Sequence, residues 1–218
     1  MSASHLIRWS GLATMLGGIC MILFVLVHPF GELDPPKVMN DLWVLADTLR
    51  VMGAILVLFG LMGLYMLQAE KAGRLGLVSF VLALSGTALF VGNGMMIAYV
   101  LAPLAVHAPD LASFNGPLSK EPVFALSYVF MIVLLLVSYL LFGVSIIRAQ
   151  VFPRWAAILL ILGALLFFEP PVLVPYVIPF VGALIFGVAL IWLGSVLWFQ
   201  KAKMARPPQV TVEGTAIS

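Results

Sequence analysis

Six apolar runs, each bounded by a small number of charges, constrain this chain more than any motif in it. They fall at about 9–27, 49–67, 75–101, 123–147, 155–168 and 180–199. Roughly 20 such residues in a helix cross a hydrocarbon core of about 30 Å. Inside lipid each backbone N–H and C=O has to be satisfied without water, which leaves helices or a closed barrel. Runs this long and continuous, without alternation, predict helices. Composition agrees: 63% of the residues are hydrophobic and 9% charged, against about a quarter charged in soluble domains. So little charge cannot wet a whole surface. The expected fold is an all-α polytopic membrane helix bundle.

The fifth run is the shortest. Its strictly apolar part reaches only about 21 Å at 1.5 Å per residue, unless Pro153 opens the helix and the helix continues to Glu169 or beyond. Proline suits a first helical position because its missing N–H would be unpaired there. Pro170, Pro171, Pro175 and Pro179 separate the fifth run from the sixth, which predicts a hairpin.

The charges give direction. Arg8, Lys71, Arg74, Arg148, Arg154, Lys201, Lys203 and Arg206 flank alternate ends of the runs, and only Lys37, Arg50 and Lys120 flank the others. Cations near span ends stay in the cytoplasm, so six transmembrane helices with both termini cytoplasmic are expected. Seven carboxylates, from Glu32, Asp34, Asp41 and Asp47 to Asp110, Glu121 and Glu169, take the opposite side. Trp9, Trp155 and Trp198 are expected at the inner interface and Trp43 at the outer one. Arg8 followed by the 12–27 run has the charge pattern of a secretory signal. It lacks a small-x-small cleavage site, and Ile19 spoils the lipoprotein-like Leu16-Gly17-Gly18-Ile19-Cys20. A retained first helix is expected. Residues 1–200 then form one membrane domain, and 201–218, with Pro207-Pro208 and little to bury, a disordered cytoplasmic tail.

Small residues recur at packing intervals: Gly53 and Gly60, Gly187 and Gly194, and the small-xxx-small pairs Ala13/Gly17, Ala88/Gly92 and Ala183/Gly187. Such residues let helices approach closely in lipid. Gly63 and Arg74 are spaced like Gly143 and Arg154, which fits either a parallel repeat or the ordinary chemistry of inner turns.

Polar side chains concentrate near the outer ends. Asp47 and Arg50 are spaced i, i+3, which puts both on one helix face where they can pair. Charge inside a membrane is costly enough to mark either a functional site or an interfacial salt bridge. His28, Asn93, Ser127, Tyr128 and Glu169 lie at similar depth, and the inner half is expected to hold no comparable set. The candidate ligand-binding residues are therefore Asp47, Arg50, Asn93, Tyr128, Glu169 and His28. His28 before Pro29 and Glu169 before Pro170 read equally well as helix ends.

One cysteine and three histidines supply no pattern for haem, zinc or a disulfide. The chain has no H-E-x-x-H, G-x-S-x-G, Walker or CxxC motif. Neither catalytic residue, metal nor cofactor is expected. The bilayer is the expected partner, with a membrane protein or a second copy as a further one, and no nucleic acid.

Gly73-Arg74-Leu75-Gly76-Leu77-Val78-Ser79-Phe80-Val81-Leu82-Ala83-Leu84-Ser85-Gly86-Thr87-Ala88-Leu89 resembles a segment recurrent in uncharacterised bacterial multi-pass membrane proteins. So does Leu141-Phe142-Gly143-Val144-Ser145-Ile146-Ile147-Arg148-Ala149 followed by Phe152-Pro153-Arg154-Trp155. That resemblance implies a bacterial-type plasma membrane and carries no active site. The expected role is a non-enzymatic membrane protein, either an accessory subunit or a binder of a lipophilic ligand in its outer half. A small permease with an outward-facing polar pocket is the alternative, and a lipid-modifying enzyme the third.

Overall fold

A computed structural model describes residues 3–29, 41–112, 116–168, 175 and 177–199. Every regular element among them is a helix. The first is α1, Ala3–Val27. The helical run Asp41–Met96 is broken at Gly73 (φ 57°, ψ −148°) into α2 (41–72) and α3 (74–96). A π-helical turn, Ile97–Leu101, carries α3 into α4, Ala102–His107. Two short turns follow, α5 (Pro109–Ala112) and α6 (Pro117–Lys120). Then come α7 (Pro122–Ala149), α8 (Arg154–Phe167) and α9 (Val177–Phe199). Among the described residues four helical stretches are long and apolar enough to cross a membrane, with Asp41–His107 counted as one.

Gly73 turns that stretch back on itself. Its left-handed φ is cheap only without a Cβ, and nothing lies within 4 Å of where one would be. Across the hairpin Tyr65 stacks on Phe80 at 4.5 Å and Arg50 meets Asn93. The second apolar run, read from sequence as 49–67, is longer as a helix. Helix α2 runs on through Gln68, because Gln68-Ala69-Glu70-Lys71-Ala72 is made of good helix formers. The 122–149 helix ends on Gln150 in the left-handed region, its N–H bonded to the Ile146 carbonyl.

Helix α8 has 14 residues, about 21 Å of rise. Pro153 is its N-cap and Phe168 its C-cap, so the longer fifth helix considered from sequence does not form. Conversely, the third apolar helix continues past 101 through the π turn.

The helices close into a ring in the order α1, α2, α3, α7, α8, α9 and back to α1. Glycines set the closest approaches. A Cβ on Gly18 would sit 2.5 Å from the Gly187 carbonyl oxygen, and one on Gly11 2.8 Å from that of Gly194. Gly17 and Gly53 make the corresponding α1–α2 crossing. The expected Ala88/Gly92 packing face does not occur: Gly92 is exposed with nothing within 4 Å of a Cβ. Inside the ring lies one main core, including Leu61, Leu64, Tyr139, Phe142, Phe186 and Leu190. The outward side chains are large and apolar, such as Val123, Leu126, Phe130 and Val177.

The packing also sorts the charges by position. Ser10 meets Gly63, Arg8 lies over the Trp198 ring at 4.1 Å, and Gly76 abuts Ser145. These contacts gather Arg8, Lys71, Arg74, Arg148 and Arg154 at one end of the bundle, hereafter the Gly73 end. Exposed Trp9 and Trp155 are at that end too. Arg50 and Lys120 belong to the other end. The tail 201–218, with Lys201, Lys203 and Arg206, lies outside the described residues.

Candidate functional site

The site begins with one helical turn of α2. At i, i+3 spacing, Arg50 Nη2 stands 2.7 Å from Asp47 Oδ1. The Asp47 residue is 2% exposed and Arg50 7%, so this is an interior pair and not a surface bridge. Asn93 on α3 reaches across the hairpin, its Oδ1 accepting from Arg50 Nη1 at 3.4 Å, a long bond. Gly94, beside Asn93, admits this: a Cβ there would lie 2.7 Å from Val51 and 3.5 Å from Arg50 Nη2.

Aromatic rings enclose the guanidinium. Its Cζ is 5.1 Å from the Phe90 ring centre and 5.6 Å from that of Phe24, within the range of cation–π attraction. Phe24 contacts the His28 ring, which packs at 4.5 Å on Trp43. Burial first, and then the charge of Arg50, push His28 down to about 4, so it is neutral at pH 7. Trp43, expected at the outer interface, is 4% exposed and packs on His28.

The pairing leaves polar atoms over. Asp47 Oδ2, Arg50 Nε and Trp43 Nε1 are buried without a well-formed hydrogen bond among the described residues, and the Trp43 indole N–H lies near enough to the Asp47 carboxylate to interact with it. Buried polar atoms are usually satisfied by protein or by ordered water. The helices therefore leave hydrogen-bonding capacity around this ion pair that they do not fully use.

The structure thus brings together Asp47, Arg50, Asn93 and His28. Tyr128 is half-buried on α7, packed against the main core. Ser127 beside it is exposed and donates to the Phe124 carbonyl in its own helix. Glu169 lies outside the described residues. Close by, Thr48 donates to the Val44 carbonyl at 2.7 Å, which leaves Tyr99 in the π turn to donate to Thr48 at 3.0 Å. A π turn often accompanies a functional site in a long helix.

Sequence reasoning missed Trp43, Phe24 and Phe90 as site residues, because an aromatic ring at a helix end looks the same whether it faces lipid or a charge. It also missed polar groups deeper in. Thr87 gives its one proton to the Ala83 carbonyl, so Tyr139 donates to Thr87 at 2.8 Å, both fully enclosed. These two line a space of about 10 Å³, the room of a single water, bounded by Phe90, Phe167, Phe168 and Phe186. Nearer the Gly73 end, Gln68 and Ser145 are buried as well. The expectation that this half lacks a polar set is corrected.

Among the described residues no group of three or more His, Cys, Asp or Glu side chains is placed to hold a metal ion. Comparison with protein-family models, curated proteins and solved structures returns no match.

Proposed function

We propose that this is a six-span plasma-membrane protein of bacterial type, termini cytoplasmic, that binds an amphiphilic molecule near the outer face without transforming it. The observation that carries this reading is the buried Asp47–Arg50 pair with the incompletely satisfied polar atoms around it. The two formal charges cancel, so an uncharged polar head suits the site better than an anion or cation. Arg50 Nε would donate to it, and Asp47 Oδ2, near the Trp43 indole N–H, would accept from it. Phe24 and Phe90 offer ring surface to an apolar body.

Two features favour a ligand over an accessory-subunit role. Glycines at the close helix contacts are used within the bundle, at α1–α2, α1–α9 and α8–α9. Most outward side chains are instead bulky and apolar, suited to lipid, with Ala88 and Gly92 on α3 the small exposed exception. A permease is the second reading, favoured by the hydrogen-bonding groups at Thr87–Tyr139 and at Gln68–Ser145 deeper in the bundle.

Native mass spectrometry on protein extracted from its own membrane tests the ligand reading. The expected result is a co-purifying adduct of discrete mass that survives lipid exchange and is lost in Arg50→Leu/Asp47→Leu. That double variant leaves no unpaired buried charge. An adduct retained in it, or a spectrum of bare protein from the wild type, overturns the reading.

A further inference from the structure

A second group of buried polar atoms lies at the Gly73 end of the α2–α3–α7 seam. Gln68 is 0% exposed, and neither Oε1 nor Nε2 has a hydrogen-bond partner among the described residues. Ser145 Oγ, also 0% exposed, is unpartnered too. Other buried hydroxyls of the seam behave differently. Those of Ser79, Thr87 and Ser138 each donate to a carbonyl of their own helix. Ser145 has the same local option and does not take it.

Helix register sets the two residues at the same level of the bundle. Arg50 opposite Asn93, Val51 against Gly94 and Tyr65 on Phe80 fix the antiparallel α2–α3 pairing. Continued toward the Gly73 turn, that pairing sets Gln68 across from Gly76. A Cβ on Gly76 would lie 3.2 Å from Ser145 Oγ, so α7 delivers its serine to the same crossing.

An amide left bare in the interior of a membrane bundle is the costliest way to place it. The cations at this end, Lys71, Arg74 and Arg148, are exposed, so no counter-charge faces the crossing. We infer that Gln68 and Ser145 form a second binding site, for a small uncharged molecule that both donates and accepts hydrogen bonds, with water as its smallest member. Gln68 Oε1 accepts from the guest, Gln68 Nε2 donates to it, and the Ser145 hydroxyl does either. Buried waters characteristically make about three such bonds, and this site offers three atoms. With Thr87–Tyr139 midway, the seam carries hydrogen-bonding groups at three levels, the middle one sealed by aromatic rings.

Water is the probe. In full-length protein in liposomes with ¹⁵N-labelled glutamine, water-edited solid-state NMR should show proton transfer to one side-chain amide that disappears in Gln68→Leu. The double variant Arg50→Leu/Asp47→Leu, which strands no buried charge, should retain that signal when run in parallel, since this inference does not depend on the outer site. Gln68→Leu should also lower the melting midpoint by about 3 °C or more. Absence of transfer to Gln68 overturns the inference. So does a Leu variant that melts at the same or a higher temperature, the behaviour of an amide that had no guest to lose.

Discussion

At the residue scale, the Asp47–Arg50 pair makes a prediction whose sign depends on burial. Removing one partner strands the other charge, which costs about 3–5 kcal/mol for a buried pair. Asp47→Asn should therefore lower folded yield and melting temperature sharply, and adding Arg50→Leu should restore part of the loss. Melting curves of the two single variants and the double variant check it; additive losses would mean that the residues do not act as a pair. His28 adds a dependence on pH. Its folded value of about 4 lies below the ordinary 6.5. As pH falls from 6.5 toward 4, the unfolded chain takes up a proton that the folded one refuses, so stability declines over that window. Above pH 6.5 this contribution is flat. His28→Gln should remove that part of the slope in melting temperature measured between pH 4 and 7. The i, i+3 spacing made the ion pair legible from sequence. Trp43 was not legible as a partner, since an indole near a helix end reads as an interface anchor until a neighbouring helix is seen to cover it.

Among elements, close contacts decide which glycines matter. Gly18 and Gly194 sit where α1 and α9 nearly touch backbone to backbone. Gly18→Val and Gly194→Val should each lower the melting temperature by several degrees or abolish folded yield. Gly92→Ala, exposed on α3 with open space beside it, should leave melting unchanged or slightly higher, as expected from helix propensity. Detergent melts of the three variants side by side check the contrast, and equal losses would refute the assignment of the α1–α9 crossing. The sequence offered Gly92 and Gly187 as equivalent packing positions. They separate only when helix rotation is known, and an all-round apolar helix gives no periodic signal from which to read it. Gln68 was legible in principle, because the residues after it favour helix; taking the first polar residue as the end of a span hid it.

On the scale of the whole molecule, the sorting of cations to the Gly73 end is the feature on which the proposed orientation rests. With Cys20→Ala as background, Lys71→Cys should react with a membrane-impermeant maleimide only after the membrane is opened. Lys120→Cys should react in intact cells. Labelling of both from the same side would refute the six-span arrangement. The runs themselves were plain in the sequence because lipid demands length and apolarity, whatever the rotation. Their ends were not, because the π turn and α4 extend α3 without any change in composition.

One consequence concerns the bilayer itself. Helix α8 has 14 residues between neighbours of 28 and 23. With α8 crossing as proposed, the surrounding acyl chains have about 21 Å to match on that side and considerably more elsewhere. The annulus there has to dimple, at a cost of fractions of a kcal/mol per Å of mismatch. Short-chain lipids would relieve that cost, so they should gather beside α8 and avoid the taller flank of α7.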